Sequence, residues 1–399
     1  MNDKLKKYKF IKFVVNGIYF VFLILIGAVL APNLPTKLYE LEPLNFMISF
    51  GGILILCALI FYIFYFISII FHELGHLLFG LKAKLVFVSF NILFYTFCIE
   101  KNKLKLKKEA KLPGILGYCN MTTEKDKEYD EKLIKLYYSG GIIFNIILAL
   151  VSTILLILVD NIYLKLICIL NLGNNLYLAI NNAIPAITKS GNSTDALQIL
   201  YYKEDKEYIN TMSKLQKLQS LLAKGIDLKE IDSKLFNKTE KFKTNSDVLN
   251  AMIYVDYLSS KEEYQEGKEY AEKILKEAKS LLSKQYTITL KLQLINCIFY
   301  SNGDLEQIKE IWDEDIKKFL ELMGKAAPSF IVMNYMYATL IEKNEENSQK
   351  YLKQFEQLNK KNYDNYLIKE AEDYMNAVNK RMKWLWYNCI EKSSIWTRI

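Results

Sequence analysis

Histidine is almost missing from this chain: its 399 residues include two, His72 and His76. Whatever imidazole chemistry the protein has is therefore confined to one short stretch. Paired cysteines are missing as well. Cys57, Cys98, Cys119, Cys168, Cys297 and Cys389 form no C-x-x-C and are scattered without paired spacing. That excludes a disulfide framework and leaves reduced, structural thiols. No nucleic-acid-binding motif occurs, although the net charge is +8. The lysines fall beside apolar runs, where lipid headgroups account for them, and on acid-rich helices, where they are solvated faces. Finally, long apolar runs are absent after about residue 200, where Lys, Glu, Tyr and Leu dominate, while residues 1 to about 185 hold nearly all of them. A chain of this length predicts two or three domains. The shift in composition puts a membrane domain at 1–200 and a second domain at 201–399.

Four runs reach the roughly 20 apolar residues that a helix needs to cross a bilayer. They are 13–31, 46–80, 137–159 and 163–184. The second carries no charge but Glu73, and Gly51-Gly52 offers it a possible break. The first reads as an anchor, since it is long for a signal-peptide core and lacks a clear A-x-A exit. Lys4, Lys6, Lys7, Lys9 and Lys12 precede it, the loop "PNLPTKLYELEPLN" after it has one lysine, and the 81–136 connection is dense in lysine. By the positive-inside rule both termini and the 81–136 segment are cytoplasmic, in a multi-pass protein of the cell membrane.

The two histidines lie in "IIFHELGHLLFG", within the second run. On a helix, positions i and i+4 share a face, so His72 and His76 can hold one metal ion, with Glu73 close enough to act on a water there. This is the H-E-x-x-H pattern of zinc metalloproteases. A chance pentapeptide is the alternative, but ionisable residues inside a membrane are costly and mark function by default. Gly75 costs about 1 kcal/mol of helix propensity relative to Ala, which is tolerable if another backbone or a substrate comes close.

With "FHELGH" in an apolar span, the sequence resembles the site-2 protease family of intramembrane zinc metalloproteases, in a small form without a PDZ domain. The family's second motif resembles "SGGIIFNIILA", with Gly141 and Asn145, although Ile142 stands where the family has proline. Its third resembles "NNAIPAITKSGNSTDA", with Asn182 and Pro185. The resemblance implies Zn2+ as cofactor, Glu73 as catalytic base and Asp195 as third metal ligand beside His72 and His76. Asp195 lies ten residues after Pro185, further than is common in the family, and Ala196 replaces the family's glycine. The alternative for Asp195 is service to the first turn of a following helix. His72 and Asn145 each stand ten residues from a flanking lysine, Lys82 and Lys135. At 1.5 Å per residue both lie about 15 Å into the membrane. Asn145 then either donates to the developing oxyanion or a substrate carbonyl, or joins two spans by a hydrogen bond.

The stretch "AKLVFVSFNILFYTFCIEKNKLKLKK" reads as two or three short strands. A strand edge beside the metal suits an unwound substrate held by β-augmentation; an interfacial apolar patch is the other reading. Residues 200–399 show helical periodicity in segments of 15–20 residues, as in a tetratricopeptide-like solenoid. Trp384, Trp386 and Trp396 crowd the end beside Arg381, Lys383 and Arg398, as a membrane-interface tail or a capping helix. The fold class is mainly α, a bundle of about four spans with a short β segment plus a cytoplasmic all-α domain. The function that follows is an intramembrane zinc endopeptidase acting on a membrane-embedded regulator or small precursor peptide. A catalytically degenerate peptide-binding relative is the alternative. Lipid and a cytoplasmic protein recruited by the C-terminal domain are the other partners, and the Lys-, Ile-, Asn- and Tyr-rich usage fits an AT-rich bacterial genome.

Overall fold

A computed structural model describes residues 2–30, 43–100, 103–108, 116–123, 131–187, 193–223, 225–324, 327–358, 360, 363 and 365–396. Contacts divide the chain into two compact units, Met1–Ile92 with Leu116–Lys206, and Leu93–Ile115 with Glu207–Ile399. The segment from 93 to 115 groups with the second unit. Composition could not reveal this, because its apolar residues resemble those of the membrane half.

The first unit is built on long helices: α1 (Asn2–Leu30), α2 (Pro43–Lys82), α3 (Glu131–Leu158), α4 (Ile162–Ala183) and α5 (Asp195–Glu204). Among the described residues four stretches are long and apolar enough to cross a membrane: Lys7–Ile26, Ala58–Lys82, Glu131–Leu158 and Ile162–Ala183. α2 does not break at Gly51-Gly52. It runs on as one helix of 40 residues, about twice what a bilayer core requires. Side chains such as Leu150, Ile157 and Leu158 on α3 stay exposed, as lipid-facing positions do, so polar and small residues do the joining. The carbonyl of Gly140 on α3 lies where a Cβ on Gly75 of α2 would go, and Gly75 excludes a Cβ on Gly140 in return. The helical cost of Gly75 is thus met by close approach of another backbone. α1 is tied to α4 by Tyr19, stacked on Tyr177 with ring centroids 4.0 Å apart, and by its hydroxyl on Asn174. The Tyr177 hydroxyl donates to Asn16 Oδ1 at 3.0 Å.

Four strands follow α2: β1 (Val86–Ile92), β2 (Tyr95–Glu100), β3 (Lys103–Lys108) and β4 (Gly117–Thr122). In the first unit β1 pairs antiparallel with β4, from Val86↔Thr122 to Ile92↔Gly117, with an irregularity between Phe87 and Ser89. In the second unit β2 and β3 form a hairpin, Tyr95↔Lys108 to Glu100↔Lys103. Its register puts Phe97, Ile99, Leu104 and Leu106 on one exposed face. Three of the four strands lie in the stretch that reads as strands. β4, "GYCNMT", does not advertise itself.

The second unit continues with α6 (Lys206–Ala223), α7 (Asn245–Ser260), α8 (Tyr264–Glu277), α9 (Lys284–Tyr300), α10 (Leu305–Ile311), α11 (Glu314–Met323), α12 (Pro328–Tyr337), α13 (Glu345–Glu356) and α14 (Asn365–Trp396). Helices adjacent in sequence pack on each other, α8 on α7 and α9 and α12 on α11 and α13, and α12 also packs on α14. One core runs through them, with Val255, Ile274, Ile295, Ile308, Leu320, Val332 and Val378 sealed from solvent. From α14, Arg381 donates to the carbonyls of Phe299 and Gly303 at the end of α9, at 2.6 and 2.5 Å. That part of α14 is a capping helix. The side chains of Trp386, Trp396 and Arg398 lie outside the described residues, and Trp384 is exposed. Cys98, Cys119, Cys168 and Cys297 are free thiols.

Candidate metal centre

The centre lies within the first unit and is assembled from α2, α3, β4 and α5. His72 and His76, one turn apart on α2, are both buried. Their Nε2 atoms face each other at 3.2 Å. Asp195, the first residue of α5, closes the triangle with Oδ2 3.2 Å from His72 Nε2 and Oδ1 3.3 Å from His76 Nε2.

The path that brings Asp195 here explains its distance from Pro185. α4 ends at Ala183, and the chain closes on itself through a bridge between Ile187 and Ser193. Thr194 clamps the turn. Its hydroxyl donates to the Ile184 carbonyl at 2.8 Å and accepts from the Ala186 N–H at 3.0 Å. The Thr194 N–H donates to the Ala186 carbonyl at 3.0 Å. Because residues 187 and 193 meet, the extra residues of this loop add no distance between α4 and Asp195. Asp195 therefore reaches His72 and His76 in spite of the unusual spacing.

The partners of the imidazoles fix which nitrogen carries hydrogen. His76 Nδ1 is 2.9 Å from the Tyr137 carbonyl, which can only accept, so that nitrogen is the N–H and in the neutral ring Nε2 keeps its lone pair. His72 Nδ1 is 2.6 Å from Asn145 Oδ1, with the same result. With both imidazoles neutral, two lone pairs and a carboxylate therefore converge. Such a convergence repels unless a cation occupies it. Its edges of 3.2–3.3 Å match the separation of about 3.3–3.6 Å between ligands in a tetrahedral site with bonds of about 2.0–2.2 Å. Space agrees with charge: a Cβ on Gly141 would sit 2.6 Å from the Nε2 atoms of both histidines. This residue set fits zinc. Burial pushes the Asp195 carboxyl up, and the imidazoles beside it, when a second proton on the ring stands in place of an ion, outweigh that and hold it well below the usual carboxylate range.

Glu73, next on α2 after His72, turns towards β4. The backbone N–H of Cys119 donates to its carboxylate, and Gly117 lies so close that a Cβ there would be 3.1 Å from Glu73 Cγ. The Tyr137 hydroxyl donates to the Cys119 carbonyl, joining β4 to α3. β4 is the element that the sequence hides; its signal is the short alternation Cys119, Asn120, Met121, Thr122 that follows Gly117.

Asn145 differs from the role of oxyanion donor. It is fully buried, and its amide N–H groups are both spent within the protein, on the Ser68 carbonyl at 3.2 Å and on Asn175 Oδ1 at 2.8 Å. An amide nitrogen has two hydrogens and no more, so none is left for substrate. Asn145 orients His72 and ties α3 to α2 and α4.

The pattern of Peptidase family M50 matches residues 59–336, most of the chain. No curated protein and no solved structure matches it. The match takes in His72, His76, Glu73 and Asp195, and with it the chain belongs to Peptidase family M50, the site-2 protease family of membrane metalloproteases.

Proposed function

We propose that the protein is a zinc endopeptidase that cuts a peptide bond within or beside the membrane span of its substrate. One observation carries this reading: two histidines and an aspartate converge with their lone pairs, beside a glutamate, on a helix apolar enough to lie in a bilayer. His72, His76 and Asp195 would hold a zinc ion, which when bound would supply Lewis-acid chemistry towards the scissile carbonyl and the attacking water. Glu73 takes the proton from the attacking water and hands it to the leaving amine. The Cys119 N–H holds the Glu73 carboxylate in place for both transfers. β4, the end strand of its sheet, runs beside Glu73 and suits an extended peptide laid along it. A transmembrane substrate must unwind to reach that geometry, since a helix keeps its backbone hydrogen bonds to itself.

Further parts of the reading are the cytoplasmic placement of both termini and substrates of two kinds, membrane-tethered regulators and small precursor peptides. Lysine-rich flanks support the first. The sequential packing of α7–α13 supports a tetratricopeptide-like domain that recruits a substrate or cytoplasmic partner.

The test is metal analysis and cleavage with the purified protein. About one zinc per chain is expected, as in other three-ligand catalytic sites, and none when His72→Ala and His76→Ala are combined. Glu73→Gln should keep the metal and lose turnover by at least ~10²-fold, because an amide takes no proton. Stoichiometric zinc in the double variant would refute the site. Zinc bound by a wild type that cuts no single-span peptide would leave a degenerate protein that binds membrane peptides without hydrolysing them.

A further inference from the structure

Behind His72 a single file of hydrogen bonds leads away from the centre through α3 and α4. Asn145 Nδ2 donates to Asn175 Oδ1 at 2.8 Å. Asn175 Nδ2 donates to the Asn171 carbonyl at 2.8 Å and to Asn171 Oδ1 at 3.1 Å. Asn171 Nδ2 donates to Ser152 Oγ at 2.7 Å, and Ser152 Oγ donates to the Leu148 carbonyl at 2.8 Å. Asn145 and Asn175 have no measurable exposure, so water does not compete for these bonds.

The direction of the file is forced. Backbone carbonyls only accept. The Leu148 carbonyl claims the Ser152 hydrogen, so Ser152 Oγ accepts from Asn171. The Asn171 carbonyl claims the Asn175 amide nitrogen, which turns Asn175 Oδ1 towards Asn145. Ser68 and Asn175 together claim both hydrogens of Asn145, which turns its Oδ1 to His72. His72 must then carry hydrogen on Nδ1 and present the lone pair of Nε2 to the centre. Without Asn175, the Asn145 amide has one anchor fewer and can turn over, which offers an N–H to Nδ1 and favours the wrong tautomer.

We propose that Asn175 is a positioning residue for the metal centre: through Asn145 it selects the His72 tautomer whose Nε2 binds the ion. The proposal rests on the reading of His72 as a metal ligand and adds a residue from α4 that no motif includes.

Full-length protein labelled with [15N]histidine tests it, because two histidines give four ring nitrogens and a simple spectrum. In metal-free wild type His72 should show one tautomer, with hydrogen on Nδ1. Asn175→Leu should show a mixture at His72, leave His76 unchanged, and weaken zinc in a chelator competition by about tenfold, the low end for losing a ligand's outer partner. Asn175→Asp should rescue both readouts. Buried there, the acid stays protonated and offers a carbonyl towards Asn145 and a hydroxyl towards Asn171. Where leucine prevents folding, Asn175→Ala carries the same comparison. A single His72 tautomer and unchanged zinc affinity in the apolar variants would overturn the proposal. So would equal losses in the Leu and Asp variants, since these report packing alone. Absence of zinc from wild type would refute the metal reading instead, and the metal-free tautomer comparison would still decide the role of Asn175.

Discussion

A carboxylate at the first position of a helix has two employments, and Asp195 sits where they can be separated. As a partner of the α5 dipole it contributes about 0.3–1 kcal/mol and has no bearing on metal. As a ligand it contributes one of three charges or lone pairs at the centre. Asp195→Asn should therefore weaken zinc by well over tenfold, more than losing an outer partner costs; equilibrium dialysis against a chelator measures it. An unchanged affinity would return Asp195 to the helix end. Gly141→Ala asks the complementary question, because it removes no ligand. Its methyl group would lie 2.6 Å from both Nε2 atoms, so metal content should fall to background while helix content by circular dichroism stays at the wild-type level. Zinc retained in this variant would mean that the pocket is not where the ion sits. His72, Glu73 and His76 can be read in the sequence because their chemistry depends on spacing along one helix. Asn145 can be found by its resemblance but not understood, since which of its amide atoms faces His72 depends on Ser68 and Asn175, from two other helices.

At the scale of elements, the loop from Ile184 to Thr194 decides whether Asp195 arrives. Thr194 is buried, and both faces of its hydroxyl are used. Thr194→Val keeps the shape and strands the Ile184 carbonyl and the Ala186 N–H. Each stranded group costs about 1–3 kcal/mol, enough to loosen the turn. Zinc affinity should fall about tenfold and Thr194→Ser should recover it, with the melting temperature recording the local loss. If Thr194→Val binds zinc like wild type, the bridge between Ile187 and Ser193 holds the turn alone. Helices were the legible elements. Their starts carry side chains that accept the first backbone N–H groups, such as Thr244, Ser283, Asp304, Asp313 and Asn344. β4 was not legible. It alternates over only four residues, Cys119 to Thr122, and has no β-branched residue before Thr122, so its strand conformation is imposed by pairing with β1.

Across the whole molecule, the two units carry different burdens. The first holds every histidine and the converging ligands, and the second has a continuous apolar core of its own, from Val248 to Val378, built by helices stacked in sequence order. A stack of that kind depends on its neighbours within the array, not on a membrane. Residues 207–399 should therefore fold as a soluble helical domain when expressed alone, with a cooperative thermal transition. A 1–204 protein should keep its zinc and cleave a short generic peptide, while losing much of its activity on the native substrate, because recruitment is gone and chemistry is not. Side-by-side assays of the full chain and the shortened one on both substrates measure the difference. Equal activity on the native substrate would reject recruitment by the second unit. Loss of zinc from the shortened protein would mean that the centre requires the helical half.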